Sequence, residues 1–269
     1  MDLDERISRF PRRQSKTISY RETGAGQALV LLHGIGSSSA GWLAQLETLA
    51  GYRLIAWDAP GYGESDFLAP EKPKAADYAQ ALHEFLDRLL LKDAVLVGNS
   101  LGCLMAGAYG AAHGERVRSM LLLGPAGGYA SLPDREEKLR GRLEELDRLG
   151  PDGLAEKRSP SVVAKGSPAF ALELVKWNHR RLRPRGMRQA LHCLAQGSLA
   201  SDARRFQKKV LVGCGSEDVI TPEAGCKQIA AAFPRAEYRA LPGLGHVPHI
   251  EAPGKINEMI ADFVPRQGA

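Results

Sequence analysis

The sequence predicts an α/β protein with a mostly parallel central sheet, helices on both sheet faces and a helical insertion. Three observations carry this. Short β-rich runs alternate with segments of helical periodicity, the pattern of strand–helix–strand units. Two of the runs, VLLHG and AVLVG, are apolar throughout and lack a period of two, as strands buried on both faces require. One long stretch, 125–206, holds no convincing strand.

The expected strands are Thr17–Arg21, Leu29–Leu32, Leu54–Trp57, Val95–Gly98, Met120–Leu123, Val210–Cys214 and Glu237–Leu241. Between them, Ala75–Leu91 places Tyr78, Leu82, Phe85, Leu86 and Leu89 at helical spacing. Leu101–His113 is small and apolar and suits a buried helix. Glu223–Phe233 and Gly254–Val264 each begin just after a proline, the residue favoured at a helix start. Inside the strandless stretch, Asp134–Leu149, Pro168–Leu182 and Arg185–Leu199 read as helices separated by Pro and Gly. The organisation expected is therefore core at 1–124, a helical cap at 125–206 and core again at 207–269, with the cap over one end of the sheet.

The 269 residues and 25% charged composition are those of an ordinary globular chain. At this length roughly three quarters of the unfolded surface is buried, so no metal or disulfide is needed for a core. Cys103, Cys193, Cys214 and Cys226 form no C-x-x-C pairs with a second pair or histidine nearby, which argues against zinc. Residues 1–13 are charged and lack an apolar run, unlike a signal peptide or anchor, and no stretch approaches a membrane span. A cytoplasmic protein without cofactor or metal is expected. The net charge of +5 excludes little. Lys176, Arg180, Arg181, Arg183, Arg185 and Arg188 occur with no acid among them. They read as a solvated helix face, or as cations attracting an anionic substrate to a pocket. Nucleic-acid binding lacks any supporting signature.

The chemistry begins at Gly98-Asn99-Ser100-Leu101-Gly102, between a buried strand and a helix. A turn that sharp leaves no room for side chains two positions either side of the serine, and it presents the hydroxyl above a helix N-terminus. A serine needs a base within reach. His246 lies in the loop after the last strand, where an imidazole can point across the carboxyl edge. Asp218 follows the strand Val210–Cys214 and can hold the far ring nitrogen, with Glu217 its neighbouring rival and Asp202 a remoter one. The Gly- and Ser-rich stretch 33–39 lacks the pattern of a phosphate-binding loop.

Taken together, LLHGIGSSSAGW, DAPGYGESD, GNSLG, GSEDVITP and LPGLGHVPHIEAP resemble the α/β-hydrolase fold superfamily, from about Thr17 to Val264. The order Ser100, Asp218, His246 is that superfamily's nucleophile–acid–base order. The resemblance implies that Ile35 and Leu101 supply the two backbone N–H groups of an oxyanion hole. It also implies that His33 is a structural loop residue. Asp58 reads as a local hydrogen-bonding residue.

For the substrate, the resemblance implies a small molecule, anionic in the sharper reading, bound by a monomer or homodimer. Ester or lactone hydrolysis is the expectation. The alternative is a carbon–carbon hydrolase acting on ring-fission products of aromatic degradation. Members of that branch often carry Asn before the nucleophile, as at Asn99, and a cap arginine for a substrate carboxylate, for which Arg180, Arg181 and Arg183 are candidates. They typically carry Trp after the catalytic histidine, where this chain has Val247. An alternative of a different class is a small-molecule receptor on the same scaffold.

Overall fold

A computed structural model describes residues 2–266. Eight strands form one sheet: β1 (Arg13–Ser15), β2 (Ile18–Thr23), β3 (Gln27–Leu32), β4 (Tyr52–Trp57), β5 (Ala94–Asn99), β6 (Val117–Leu123), β7 (Val210–Gly215) and β8 (Ala236–Leu241). Their order is β1-β2-β4-β3-β5-β6-β7-β8. The two pairings made by β2 are antiparallel and every other pairing is parallel.

The helices are α1 (Leu3–Ser8), α2 (Leu43–Thr48), α3 (Ala75–Arg88), α4 (Leu101–Ala112), α5 (Arg135–Val162), α6 (Ala169–Arg180), α7 (Pro184–Gln196), α8 (Leu199–Ala203), α9 (Glu223–Ala232), α10 (Pro248–Glu251) and α11 (Pro253–Phe263). Successive strand residues face opposite sides of the sheet. Val30, Leu32, Leu96 and Leu122 pack with α3, α4 and α9, while Leu29, Leu31, Val97 and Leu121 pack with α2 and α11. Both faces being covered explains the unbroken apolar runs, and β3, β5 and β7 are buried at every position.

Every strand expected from the sequence is present. The elements that went unforeseen are β1, α1, α2, α8 and α10. β1 is three polar residues held to β2 by backbone pairing, so it leaves no apolar signature. The short α1 places only Ile7 in the interior, where it joins Ala171, Leu174 and Val175 of α6. α2 follows a 3₁₀ turn through Trp42 and is likewise too short for periodicity to show.

Between β6 and β7 the chain is helical, α5 to α8, where the sequence places the insertion. The expected end of its first helix, Leu149, meets Gly150, which leaves helical geometry at φ 61°, ψ −175°, and Pro151 then restarts the helix to Val162. This insertion sits on the carboxyl edge of the sheet. Ser38, in the loop after β3, donates to Asn178 Oδ1 of α6 at 2.6 Å, and the His246 N–H donates to Val162 O at 2.9 Å.

Candidate active site

Four loops meet at the carboxyl edge because β3, β5, β6, β7 and β8 lie side by side and parallel. The loop after β3 carries Ile35, the β5–α4 turn carries Ser100, the loop after β7 carries Asp218 and the loop after β8 carries His246. Ser100 and His246 line one cavity of about 260 Å³ under the insertion, room for a small organic molecule.

Ser100 has φ +52°, ψ −115°, a conformation that costs a non-glycine residue about 1–3 kcal/mol and persists only where its surroundings enforce it. Here they do. Its N–H donates to Leu123 O at 3.0 Å, and its carbonyl accepts from the N–H groups of Cys103 and Ala126. Helix α4 passes so close beneath β3 that a Cβ at Gly102 would lie 2.1 Å from Leu32 O. A bulkier residue there would push the elbow out of place.

The His246 Nδ1 lies 2.8 Å from Asp218 Oδ2. The Thr221 hydroxyl joins this pair, donating to Asp218 Oδ2 at 2.8 Å, while Asp218 Oδ1 accepts from the N–H groups of Ile220 and Thr221 at 2.8 Å. Burial alone would raise the Asp218 pKa, but the hydrogen bonds and charge from His246 and Thr221 win and hold it below the usual carboxylate value. An ionised acid therefore faces Nδ1, which directs that nitrogen to carry the proton and leaves Nε2 as the accepting atom. The Ser100 hydroxyl makes no hydrogen bond to His246 among the described residues; in unliganded hydrolases this contact is often long.

The N–H groups of Ile35 and Leu101 donate to no protein acceptor among the described residues, and both residues line the cavity. Tyr62 fixes the first of them by donating its hydroxyl to Ile35 O at 2.9 Å. His33 is internal: its Nε2 accepts the Ala59 N–H at 3.0 Å. Asp58 accepts from Arg12, Ser19 and the Ser39 N–H, so it braces the same loop. The rival acids fall away from the site, Glu217 on the surface and Asp202 paired with Arg205.

Two clamps were not foreseen. The Asn99 amide donates to Leu123 O at 3.1 Å and to His246 O at 2.9 Å. Asn99 lines the cavity, yet both its amide hydrogens are spent on backbone carbonyls, one of them that of His246. Glu251 is buried and accepts from the N–H groups of Gly245 and Val247, which flank His246, and also from the Ala164 N–H and the Ser167 hydroxyl. One carboxylate thus joins the base loop to the α5–α6 connection. Val247 contributes an apolar wall to the cavity.

The expected cap arginines are a correction. Arg180 pairs with Glu156, Arg181 stacks on Trp177 and reaches Asp4, and Arg183 donates to Gly63 O and Ser65 O while covering Phe67. None lines the cavity. The acids of Arg180 and Arg181 lie elsewhere in the sequence, and Arg183 is held by backbone carbonyls instead. The guanidiniums that do reach the cavity are Arg142 and Arg158, from the two legs of α5. Arg158 pairs with Glu145, a carboxylate that it shares with Lys157. Arg142 has no acidic partner among the described residues; its one hydrogen bond is a long one, 3.5 Å, to the Tyr129 hydroxyl. Only its position within a helix rich in both charges marks it in the sequence, which is why it passed unnoticed. His179 also lines the cavity. Among the described residues no cluster of His, Cys, Asp or Glu could hold a metal ion, and no helix is long and apolar enough to cross a membrane.

Fold and site together define a hydrolase with a serine presented at the edge of a parallel sheet. The chain belongs to the α/β-hydrolase fold family, whose family model matches residues 27–253. It is 26% identical to a 2-hydroxy-6-oxononadienedioate/2-hydroxy-6-oxononatrienedioate hydrolase of Comamonas testosteroni, over 92% of this chain and 91% of that protein. It is 27% identical, with the same coverage, to a 2-hydroxy-6-oxo-6-phenylhexa-2,4-dienoate hydrolase of Burkholderia cepacia. Among solved structures, a thermophilic esterase of Thermogutta terrifontis superposes with a TM-score of 0.85 at 25% identity, covering 94% of this chain and 97% of that one.

Proposed function

We propose that this enzyme hydrolyses the carbon–carbon bond beside a ketone in a small carboxylate-bearing dienoic acid. The observation that carries the reading is a guanidinium with no acidic partner among the described residues, Arg142, in the wall of the same cavity as Ser100 and His246. Arg142 is half-buried and no acid neutralises it, so a substrate carboxylate entering the cavity can form a charge-assisted hydrogen bond with it. The relatives named as hydrolases of hydroxy-oxo-dienoic acids are the second support. They replace the ester or lactone expectation as the leading one, and their match along the chain weighs against a receptor.

In this reading the substrate carboxylate pairs with Arg142, which sets the ketone against Ser100. His246 takes the Ser100 proton as Oγ bonds to the carbonyl carbon, and the oxyanion receives the N–H groups of Ile35 and Leu101. The carbon–carbon bond then breaks. The carbon beside the ketone is vinylic in the dienol, so the dienol first passes its hydroxyl proton to that carbon; the electron pair released on cleavage is then taken up by the enone remainder, which takes the proton from His246. Water, deprotonated by the same imidazole, releases the acyl group as a carboxylic acid and restores Ser100. Asp218 stays ionised and holds the imidazole through both halves.

Ester hydrolysis by the same steps is the second reading, favoured by Val247, where the carbon–carbon branch typically carries Trp, and by the likeness to the esterase. The test compares kcat/KM for 2-hydroxy-6-oxo-6-phenylhexa-2,4-dienoate and p-nitrophenyl acetate on the wild type and on Ser100→Ala. Preference for the dienoate by about 100-fold or more, lost in the variant, is expected. Turnover of the ester alone would move the enzyme to the esterases.

A further inference from the structure

A second imidazole stands in the cavity wall and takes no part in the steps above. His179 of α6 is 6% exposed and lines the cavity. Its Nδ1 lies 3.0 Å from Val175 O and 3.3 Å from Ser159 Oγ. A carbonyl oxygen can only accept, so Nδ1 carries the proton and Nε2 presents a bare lone pair. That Nε2 has no hydrogen-bond partner among the described residues, and it is not sealed from the cavity. It packs against the oxyanion loop, where a Cβ at Gly36 would lie 2.4 Å from it. The loop therefore holds glycine beside Ile35 at the point where the ring comes closest. Burial, with the Arg158 and Arg142 guanidiniums adding to it, keeps the imidazole below the usual histidine range and so neutral at neutral pH.

A neutral acceptor, two N–H donors without a protein acceptor and a guanidinium without an acidic partner line one cavity and can be read as a recognition set. The guanidinium takes a carboxylate, the N–H pair takes an oxyanion, and the acceptor takes a hydroxyl hydrogen. We propose that His179 Nε2 accepts a hydrogen bond from a hydroxyl group on the substrate, so that His179 is a specificity-determining residue selecting hydroxy acids over their ethers and deoxy analogues. This rests on the functional reading above. An arginine or lysine at 179 could not serve, since neither accepts a hydrogen bond, and a methyl ether has no proton to give.

The test uses Ser100→Ala, which removes the reaction and leaves binding measurable. Dissociation constants are measured for a 2-hydroxy-6-oxo-dienoic acid and its 2-methoxy ether. In Ser100→Ala the hydroxy acid is expected to bind at least about 10-fold more tightly than the ether. Adding His179→Phe should bring the ratio to within about 2-fold, chiefly by weakening the hydroxy acid, whereas His179→Gln, whose amide oxygen accepts, should retain part of it. A melting curve checks that each variant is folded. Independently of any change at 179, ¹⁵N-histidine spectra of Ser100→Ala should show the His179 Nε2 resonance moving upfield with the hydroxy acid and staying in place with the ether. An unmoved resonance, or a ratio unaltered by His179→Phe, overturns the inference and leaves the functional reading standing. If Ser100→Ala binds neither compound, both fall.

Discussion

The sheet edge and the helical insertion above it hold their polar groups by different means. At the edge, each reacting group is fixed by backbone. Ser100 is pinned through its own N–H and carbonyl, Asp218 accepts two backbone N–H groups, and His246 is bracketed by the Asn99 and Glu251 clamps. In the insertion, the cations are long side chains on helix surfaces, and pairing decides their role. Arg158, Arg180 and Arg188 each meet an acid, and Arg142 does not. In the proposed reading the reaction is built into the strand order, while substrate choice rests on which cavity side chain is left without an acid. Changes at the edge should abolish turnover, and changes in the insertion should redistribute it among substrates.

The largest break is at the edge. Ser100→Ala should lower kcat by about 10⁴-fold or more for every substrate, with binding retained. Asp218→Asn should follow at about 10³–10⁴-fold in kcat, because an amide cannot enforce the required tautomer; single-turnover rates would show the loss in the chemical step.

Glu251 lies between the two regions and sharpens the contrast. Glu251→Ala strands four donors, those of Ala164, Gly245 and Val247 and the Ser167 hydroxyl. Each buried donor left unpaired costs about 1–3 kcal/mol, so both the melting temperature and kcat should drop, the latter by about 100-fold. Glu251→Gln, which keeps an accepting oxygen, should recover part of each. A melting temperature that falls with kcat intact would show the clamp to be structural only.

Within the insertion, Arg142→Gln should raise KM for the carboxylated substrate by about 10-fold and leave p-nitrophenyl acetate within about 2-fold. Arg180→Gln, by contrast, should change neither, and equal effects on both substrates would remove the anion-binding role. The last effect concerns stability and leaves turnover alone. His249 is buried against Trp42, and burial pushes its pKa from 6.5 down to about 3. Unfolding releases an imidazole that binds a proton the folded state refuses. Stability should therefore fall as pH drops from 6.5 toward 3, by up to about 1.4 kcal/mol per pH unit. His249→Gln should flatten urea-unfolding curves measured across that window.

The sheet was legible because buried parallel strands are written as unbroken apolar runs, and the residues at their carboxyl ends inherit their places from strand order. That is how Ser100, Asp218 and His246, far apart in the chain, could be picked together. β1 was invisible because backbone pairing needs no particular side chain. The clamps made by Asn99 and Glu251 were quoted within motifs, but which backbone groups they hold depends on loops from distant strands. Arg180, Arg181 and Arg183 misled because charge was counted along the chain, whereas Glu156, Asp4 and the carbonyls of Gly63 and Ser65 meet them through space. Arg142 and His179 became visible only once the two legs of α5 and the helix α6 were folded over Ser100.

The most direct test of the account is covalent capture of the nucleophile. An alkyl fluorophosphonate, whose tetrahedral phosphorus mimics the attacked carbonyl, should add once per chain, and peptide mass spectrometry should place the adduct on Ser100. His246→Ala should slow the labelling by orders of magnitude, and Ser100→Ala should take up none. Labelling at another residue, or a Ser100→Ala variant that still turns over substrate, would contradict it.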